Sequence, residues 1–369
     1  MPVLRRGGGV CEIDGVGLGH AGRIDSAAGA LTGTTALILP PGTTGGVDVR
    51  GGGPASHETE LLAPGTLTAG CDAIVLTGGS AYGLAAAHGV QAGLAAAGRG
   101  FPAPGLAGVT VPLVPAAGIF DLGRGGAPCL PPTIETGQAA YANRLTGPEA
   151  VVRGSVGGGI GAWTGRGLLR GGLGSAVIDT DTGHRVAAIA VANPMGTVIA
   201  PTGRLHAAEV FAGYGIDVPA DDSAALRERF AALAAQTAGS PPPARNTTIA
   251  AVVTDAQLDA AQAHRLAQSA HAGLARAIHP SHTLFDGDTV FAAATGAVPL
   301  TRSAGAPGEA DDTMVLAQLN IAAADVLSAA IVDAVISAGD YAEGAPLPAS
   351  PPPLRTVCPQ LAAAWQSLD

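Results

Sequence analysis

The chain has 369 residues, of which 47% are hydrophobic and 13% charged, a composition that suits a large buried core and excludes a disordered chain. Its net charge of −10 and aromatic content of 3% argue against nucleic-acid binding, which needs cationic phosphate contacts and often stacking rings. The four cysteines form no CxxC pair, and no apolar segment follows the N-terminal arginines. A reduced, cytoplasmic protein without a signal peptide is therefore expected.

The first part of the chain alternates short apolar runs with glycine-rich turns, a pattern that predicts buried strands. The predicted strands cover residues 35–39, 73–77, 109–114 and 187–192. An alanine- and leucine-rich stretch predicts a helix over residues 80–97, closed by Gly98, and a second helix is predicted over residues 222–236. A stiff proline-rich spacer follows over residues 239–245.

Beyond the spacer the pattern changes to longer elements. They are a β-branched strand (residues 247–254), a helix capped by Asp255 and running to about 278, a loop (279–288), a strand (289–294) and a long helix (311–338). Glu309, Asp311 and Asp312 suit the positive end of the long helix, and its internal Asp325 and Asp333 make it a poor membrane span. The C-terminal segment, with prolines 351–353, is predicted to be irregular and exposed. Strands interleaved with helices favour a sheet packed between helices.

One junction stands out, where Asn246 and Thr247 join the spacer to a buried strand. On pattern alone the simpler interpretation is structural, because threonine favours strands and asparagine favours turns.

Several long segments change that interpretation. They are residues 48–62 (DVRGGGPASHETELL), 73–90 (AIVLTGGSAYGLAAAHGV), 111–122 (VPLVPAAGIFDL), 154–176 (GSVGGGIGAW…RGGLGSA), 191–199 (VANPMGTVI), 245–258 (RNTTIAAVVTDAQL) and 270–296 (AHAGLARAIHPSHTLFDGDTVFAAATG). In this order, they make the chain similar to the DmpA-like family of self-processing aminopeptidases and nylon-oligomer hydrolases. The resemblance spans nearly the whole chain, apart from its ends and an insert over residues 200–245.

The resemblance implies an inactive precursor that cuts itself between Asn246 and Thr247. The pieces, an α subunit (residues 1–246) and a β subunit (residues 247–369), would stay together as a single domain. The implied fold is an αββα sandwich, close in layout to the N-terminal-nucleophile hydrolases but with different strand connections. The implied assembly is a homo-oligomer, a dimer or tetramer of αβ units.

The resemblance also implies a mechanism that makes chemical sense. Cleavage would free an α-amino group on Thr247, whose ordinary pKa of about 8 lets it act as base for the Thr247 hydroxyl. The hydroxyl would then form an acyl-enzyme with an amide substrate. The implied substrates are small peptides and amides, or linear amide oligomers such as those of 6-aminohexanoate.

Three further residues take site roles from the resemblance. Asn193, in Asn-Pro-Met-Gly, would donate its amide NH₂ to the oxyanion or align the hydroxyl, although the pattern alone suggests a turn. Asp286 and Asp288 would hold the α-ammonium group and tune its pKa, although an Asp-Gly turn before a strand is the structural alternative.

Two positions depart from the family. Arg166 aligns with a lysine of the nylon-oligomer branch, and because arginine stays charged it could hold a carboxylate or polarise a carbonyl but not shuttle a proton. Phe120 stands where some members have tyrosine, so a phenol hydroxyl is lost and a pocket-lining role remains.

No cofactor or metal is expected. The turn at residues 77–83 lacks the G-x-G-x-x-G spacing, and His279, His282 and Asp286 are more simply scattered residues than a metal cluster. A non-catalytic protein that binds a small ligand at this turn is the alternative function, and a self-cleaving acetyl transferase is a weaker one.

Overall fold

The computed structural model describes residues 1–237, 246–300, 311–341 and 350–368. The predicted spacer (residues 239–245) and Glu309, ahead of the predicted long helix, lie outside these residues.

The described residues form sixteen strands and nine α-helices. The strands are β1 (Val3–Arg5), β2 (Gly17–Asp25), β3 (Ala30–Ile38), β4 (Thr44–Val49), β5 (Ser56–His57), β6 (Ala73–Thr77), β7 (Phe101–Pro102), β8 (Thr110–Val111), β9 (Ala116–Gly118), β10 (Leu145–Thr146), β11 (Trp163–Thr164), β12 (Leu169–Arg170), β13 (Gly172–Asp179), β14 (Arg185–Asn193), β15 (Thr247–Ala256) and β16 (Thr289–Val298). The helices are α1 (Ser80–Gly83), α2 (Ala86–Ala96), α3 (Ile134–Ala142), α4 (Ala208–Ala212), α5 (Ala224–Thr237), α6 (Ala260–Ala277), α7 (Asp312–Ile336), α8 (Leu354–Val357) and α9 (Pro359–Gln366).

Two six-stranded sheets lie face to face. Their strand orders are β1-β13-β14-β15-β16-β4 and β10-β2-β3-β6-β9-β5. Every second residue of the first sheet, such as Val191 and Ile249, points into the core between the two sheets. There these side chains pack against Leu37 and Leu76 of the second sheet. The outer face of the first sheet packs on α6 and α7, and that of the second on α2 and α3. The predicted αββα fold is confirmed.

The long helix α7 forms where the sequence predicts it. Asp311 caps it, its carboxylate accepting a hydrogen bond from Met314 N at 2.8 Å. In the part of the chain that the structure describes, α7 is the one helix long and apolar enough to cross a membrane. Buried residues make up 83% of its apolar window, and it packs on β13, β14 and α6, so its apolar surface serves the core of this fold.

Two predictions in the first half need correction. The helix over residues 80–97 is interrupted, because tighter hydrogen bonds, such as Ala87 N to Leu84 O at 3.0 Å, separate α1 from α2. The strand over residues 109–114 shrinks to β8, paired only with β7, because Pro112 has no N–H to continue a ladder.

The cap predicted at Asp255 was also wrong. Asp255 belongs to β15 and accepts a hydrogen bond from Arg185 N on the neighbouring strand at 2.9 Å. Asp259, one turn later, caps α6 instead. Its carboxylate accepts from Gln262 N at 2.8 Å, and the Gln262 side chain accepts from Asp259 N at 2.9 Å.

The C-terminal segment is not an irregular surface stretch. It forms α8 and α9, and Leu354, Leu361 and Trp365 are buried in the outer core. The Trp365 ring lies 4.8 Å from that of Phe211, which anchors the segment over the first sheet.

A buried histidine on α6 predicts a pH dependence of stability. His271 Nε2 lies 3.0 Å from Asp48 O, and burial lowers the pKa of His271 from 6.5 to about 4. Below pH 6.5 the unfolded chain takes up this proton before the folded one, so stability falls between pH 6.5 and 4. At pH 5 the loss is about 2 kcal/mol relative to pH 7. Urea unfolding at both pH values should show it, and His271→Gln should show a smaller difference. An identical pH dependence in the two proteins would contradict this prediction.

Candidate active site

Strand register brings the two principal predicted residues together. Asn193 and Thr247 are direct partners on the antiparallel strands β14 and β15, so their side chains lie on the same face. Val191 and Ile249, two residues along each strand, point into the core between the sheets. Asn193 and Thr247 therefore face that inner space, and both are buried, at 0% and 4% exposure.

The peptide bond before Thr247 meets a hydroxyl and an N–H donor. Thr247 Oγ1 donates a hydrogen bond to the Asn246 carbonyl oxygen, and the same oxygen accepts from Gly287 N at 3.2 Å. Gly287 sits close against the hydroxyl, since a Cβ built on it would lie 2.9 Å from Thr247 Oγ1. A hydroxyl, a carbonyl and an N–H donor thus lie together at the Asn246–Thr247 bond.

Asp288 is held beside the start of β15 by three donors. Its Oδ1 accepts from Thr248 N at 2.8 Å, and its Oδ2 accepts from His282 N at 3.1 Å and His282 Nδ1 at 2.9 Å. The carboxylate accepts in each contact, so Nδ1 of His282 carries a proton. The sequence pattern suggests no role for His282 beyond a discounted metal cluster, whereas in the structure His282 orients Asp288.

Asp286 lies on the same loop and is turned the other way. Its Oδ1 accepts from Met195 N at 3.1 Å, and its Oδ2 accepts from Thr283 N at 3.0 Å and Thr283 Oγ1 at 2.6 Å. Burial, together with the nearby charge of Asp288, raises the pKa of Asp286. Through its hydrogen bonds to Met195 and Thr283, Asp286 connects the Asn193–Gly196 turn to the loop that carries Asp288.

The Asn193 amide is fixed by two residues that the sequence did not single out. Its Oδ1 accepts from Arg124 Nη1 at 2.5 Å and from Trp163 N at 3.0 Å. The Arg124 guanidinium also lies over the Trp163 ring, 4.7 Å from its centroid. The signals in the sequence are that Arg124 follows the family segment that ends in Phe120-Asp121-Leu122 and that Trp163 lies within the family segment over residues 154–176.

The two departures from the family lie at different depths. Arg166 is exposed, on a turn with φ of +57°, and lines a cavity of about 290 Å³ with Met195 and His279. This cavity adjoins the site, because Met195 lines the cavity and its backbone N donates a hydrogen bond to Asp286. Phe120 is half-buried in the loop after β9. The contact of either residue with a substrate stays a prediction.

The discounted motifs are packed into the fold. Gly79 N donates to Asp121 Oδ1 at 2.7 Å, and a Cβ on Gly83 would lie 1.8 Å from Gly78 O, so the turn at residues 77–83 is tight packing of helix on sheet. Within the described ranges, no group of three or more His, Cys, Asp or Glu side chains is arranged to hold a metal ion. The ring of His279 lies 5.7 Å from that of His206, whereas the ring of His282 lies 4.9 Å from that of His271.

Solved structures share this fold. A β-aminopeptidase of Burkholderia sp. aligns with a TM-score of 0.68 at 23% identity, covering 100% of this chain and 96% of its own. An L-aminopeptidase D-Ala-esterase/amidase of Ochrobactrum anthropi, described as a new variant of the Ntn hydrolase fold, aligns with a TM-score of 0.63 at 20% identity, covering 91% and 88%.

Curated relatives are similar over most of the chain. An uncharacterized aminopeptidase of Mycobacterium leprae is 42% identical over 344 residues, 90% of this chain and 91% of its own. A 6-aminohexanoate-oligomer endohydrolase of Paenarthrobacter ureafaciens is 29% identical over 327 residues, 84% of this chain and 80% of its own. The family profile described as peptidase family S58 matches residues 9–345. With a match of this extent, the protein belongs to peptidase family S58, the DmpA-like family that its motifs resemble, and is an enzyme that hydrolyses amide bonds.

Proposed function

We propose that the protein cuts its own chain between Asn246 and Thr247 and then uses Thr247 as an N-terminal nucleophile. The observation that carries the proposal is the meeting of the Thr247 hydroxyl, the Asn246 carbonyl and the Gly287 N–H at one point. The pieces, residues 1–246 and 247–369, would stay together because β14 of one pairs with β15 of the other.

In the first step the Thr247 hydroxyl oxygen attacks the Asn246 carbonyl carbon. The hydroxyl proton passes to the Thr247 nitrogen as the C–N bond breaks, which leaves an ester between the two residues. Water opens the ester, giving a carboxylate on Asn246 and a free hydroxyl and amine on Thr247. Gly287 N–H points at the carbonyl oxygen and would stabilise its negative charge in this reaction.

In the second step the free amine takes the hydroxyl proton while the oxygen attacks a substrate amide. An unperturbed α-amino group has a pKa of about 8, which suits this role. Asp288 accepts a hydrogen bond from the backbone N of Thr248, the residue next to the free amine of Thr247. Its negative charge favours the ammonium form that the amine takes during attack. Asn193 would donate a hydrogen bond from its NH₂ group to the oxyanion. As the substrate C–N bond breaks, the α-ammonium group would pass its proton to the leaving amine, and water would then hydrolyse the ester to release the acyl group as a carboxylate and restore the Thr247 hydroxyl.

The substrate class we propose is small peptides or amides, or linear amide oligomers. Relatives named aminopeptidase and 6-aminohexanoate-oligomer endohydrolase support it. The 290 Å³ cavity beside Met195 also supports it, since Phe230 and Leu233 give it an apolar wall and Arg166 a cation at its edge. An apolar acyl chain with a polar end suits such a cavity. Phe120 would line the approach to the site.

A substrate panel tests this function. Purified protein should be incubated with aminoacyl and β-aminoacyl p-nitroanilides and with linear 6-aminohexanoate trimer, and product amines should be measured. Hydrolysis of at least one class is expected. A processed protein that cleaves none of them, yet gains thermal stability from a nucleotide, would contradict the proposal and favour a ligand-binding protein.

Gly287→Ala should slow both self-cleavage and hydrolysis. The new Cβ would lie 2.9 Å from Thr247 Oγ1 and 2.8 Å from Gly53 O, so the hydroxyl must shift. A misplacement of this kind costs about 100-fold in rate. Gly53→Ala is the matched control, because its Cβ would meet only Asp286 O at 3.9 Å and Leu284 O at 4.0 Å. Time courses of fragment formation measure the effect, and equal rates in the two variants would contradict it.

A further inference from the structure

The hydrogen-bond partners of Asn193 determine which way its side-chain amide is turned. Its Oδ1 accepts hydrogen bonds from Arg124 Nη1 and Trp163 N, so the oxygen faces these donors and the NH₂ group points elsewhere. An asparagine that turned its amide over would present an acceptor where an oxyanion needs a donor. Whatever holds Oδ1 therefore decides whether Asn193 can act.

Of the two hydrogen bonds that Asn193 Oδ1 accepts, the one from Arg124 is the stronger. Its Nη1 lies 2.5 Å from Asn193 Oδ1, compared with 3.0 Å for Trp163 N, and guanidinium is always charged at neutral pH. A charge-assisted hydrogen bond is about twice as strong as a neutral one. Electron density drawn towards Oδ1 also makes the Asn193 NH₂ group a better donor, because linked hydrogen bonds polarise each other.

The protein fixes the Arg124 side chain from several sides. The same Nη1 donates to the Gly161 carbonyl oxygen, and the guanidinium stacks on the Trp163 ring. Its backbone N donates to Asp121 O at 3.2 Å, and the Asp121 carboxylate is anchored by Gly79 N. The loop after β9 of the second sheet thus places the Arg124 guanidinium at the end of β14 in the first sheet.

We propose that Arg124 is a positioning residue that holds and polarises the Asn193 amide for oxyanion stabilisation, and so supplies the cation that the sequence assigned to Arg166. The inference rests on the proposed function, because Asn193 matters only if an oxyanion forms beside Thr247. It predicts a loss of turnover without a matching loss of substrate affinity, since Arg124 acts through Asn193.

The test compares Arg124→Ala, Arg124→Lys, Asn193→Ala and the double variant, with hydrolysis expressed per processed chain. Arg124→Ala should lower kcat by about 10- to 100-fold with KM changed by less than about 3-fold. Guanidinium ion at tens of millimolar should restore part of the activity of Arg124→Ala and none of that of Asn193→Ala. Adding Arg124→Ala to Asn193→Ala should cost little more, and Arg124→Lys should fall between wild type and Arg124→Ala.

Arg144→Ala is the matched control. Arg144 also stacks on an aromatic ring, 3.9 Å from the Tyr141 centroid, but it is exposed after α3 in the outer layer. It should keep wild-type turnover and show no response to guanidinium. If Arg124→Ala does not fold, the intermediate turnover and unchanged KM of Arg124→Lys remain the test.

The outcomes separate this inference from the proposed function. Wild-type protein that neither cuts itself nor hydrolyses amides would overturn the function itself. Active wild type with Arg124→Ala within 2-fold of it, or with fully additive losses in the double variant, would overturn the role of Arg124 alone.

Discussion

Thr247→Ala is expected to remain a single 369-residue chain and to lose amide hydrolysis by roughly 10⁴- to 10⁶-fold. The substitution removes the hydroxyl that contacts the Asn246 carbonyl, so neither the internal ester nor an acyl-enzyme can form. Thr247 is 4% exposed, and loss of its small side chain leaves the β14–β15 pairing in place, so the variant should fold.

Thr247→Ser is the matched variant, since it keeps the hydroxyl and removes only a methyl group. It should produce two fragments and retain measurable hydrolysis. Gel analysis, thermal unfolding and substrate turnover on the three proteins measure these effects. A Thr247→Ala protein that is cleaved at the same bond, or that hydrolyses substrate at the wild-type rate, would show that another residue is the nucleophile.

Asp333→Ala should lower the free energy of unfolding by about 3–5 kcal/mol. Asp333 is 0% exposed on α7, and its Oδ1 accepts from Arg6 Nε at 2.8 Å and Trp365 Nε1 at 3.1 Å. Its Oδ2 accepts from Ser175 N at 3.1 Å and lies 2.9 Å from Arg153 Nε, an ion pair whose angle falls short of a hydrogen bond. Removing the carboxylate leaves the buried Arg6 and the partly buried Arg153 without this anionic partner.

The same network would join the two pieces of a cleaved chain. Asp333 and Trp365 follow Thr247, whereas Arg6, Arg153 and Ser175 precede it. Asp333→Ala should therefore also weaken the association of the fragments, which size-exclusion chromatography at low concentration can follow. Asp222→Ala is the control, because its ion pair with Arg227 is exposed and should contribute less than about 1 kcal/mol. Equal midpoints of urea unfolding for the two variants would contradict the role of Asp333.

The sequence predicts the position of a residue best where that residue belongs to a regular element. Thr247 begins β15 and Asn193 ends β14, and the antiparallel register then brings them together without help from loops. The β-branched run after Thr247 and the apolar run before Asn193 are strong local signals for these strands. The family resemblance implied that Asn193 lies near Thr247, but the pairing of their strands was not predicted.

The sequence fails where a contact depends on how a loop crosses the space between sheets. Arg124 reaches Asn193 across 69 residues of chain, and no spacing rule connects them. Arg166 lies nearer in sequence but sits on an exposed glycine-flanked turn. Likewise Asp255 and Asp259, four residues apart, both suit a helix cap, and only the extra length of β15 decides between them.

The intact mass of purified wild-type protein under denaturing conditions shows whether the chain cuts itself before Thr247. We expect two fragments, of roughly 24 and 12 kDa in proportion to the 35.8 kDa chain, with Thr247 as the first residue of the smaller one. A wild-type chain that stays whole after long incubation would contradict self-cleavage and, with it, the use of Thr247 as an N-terminal nucleophile.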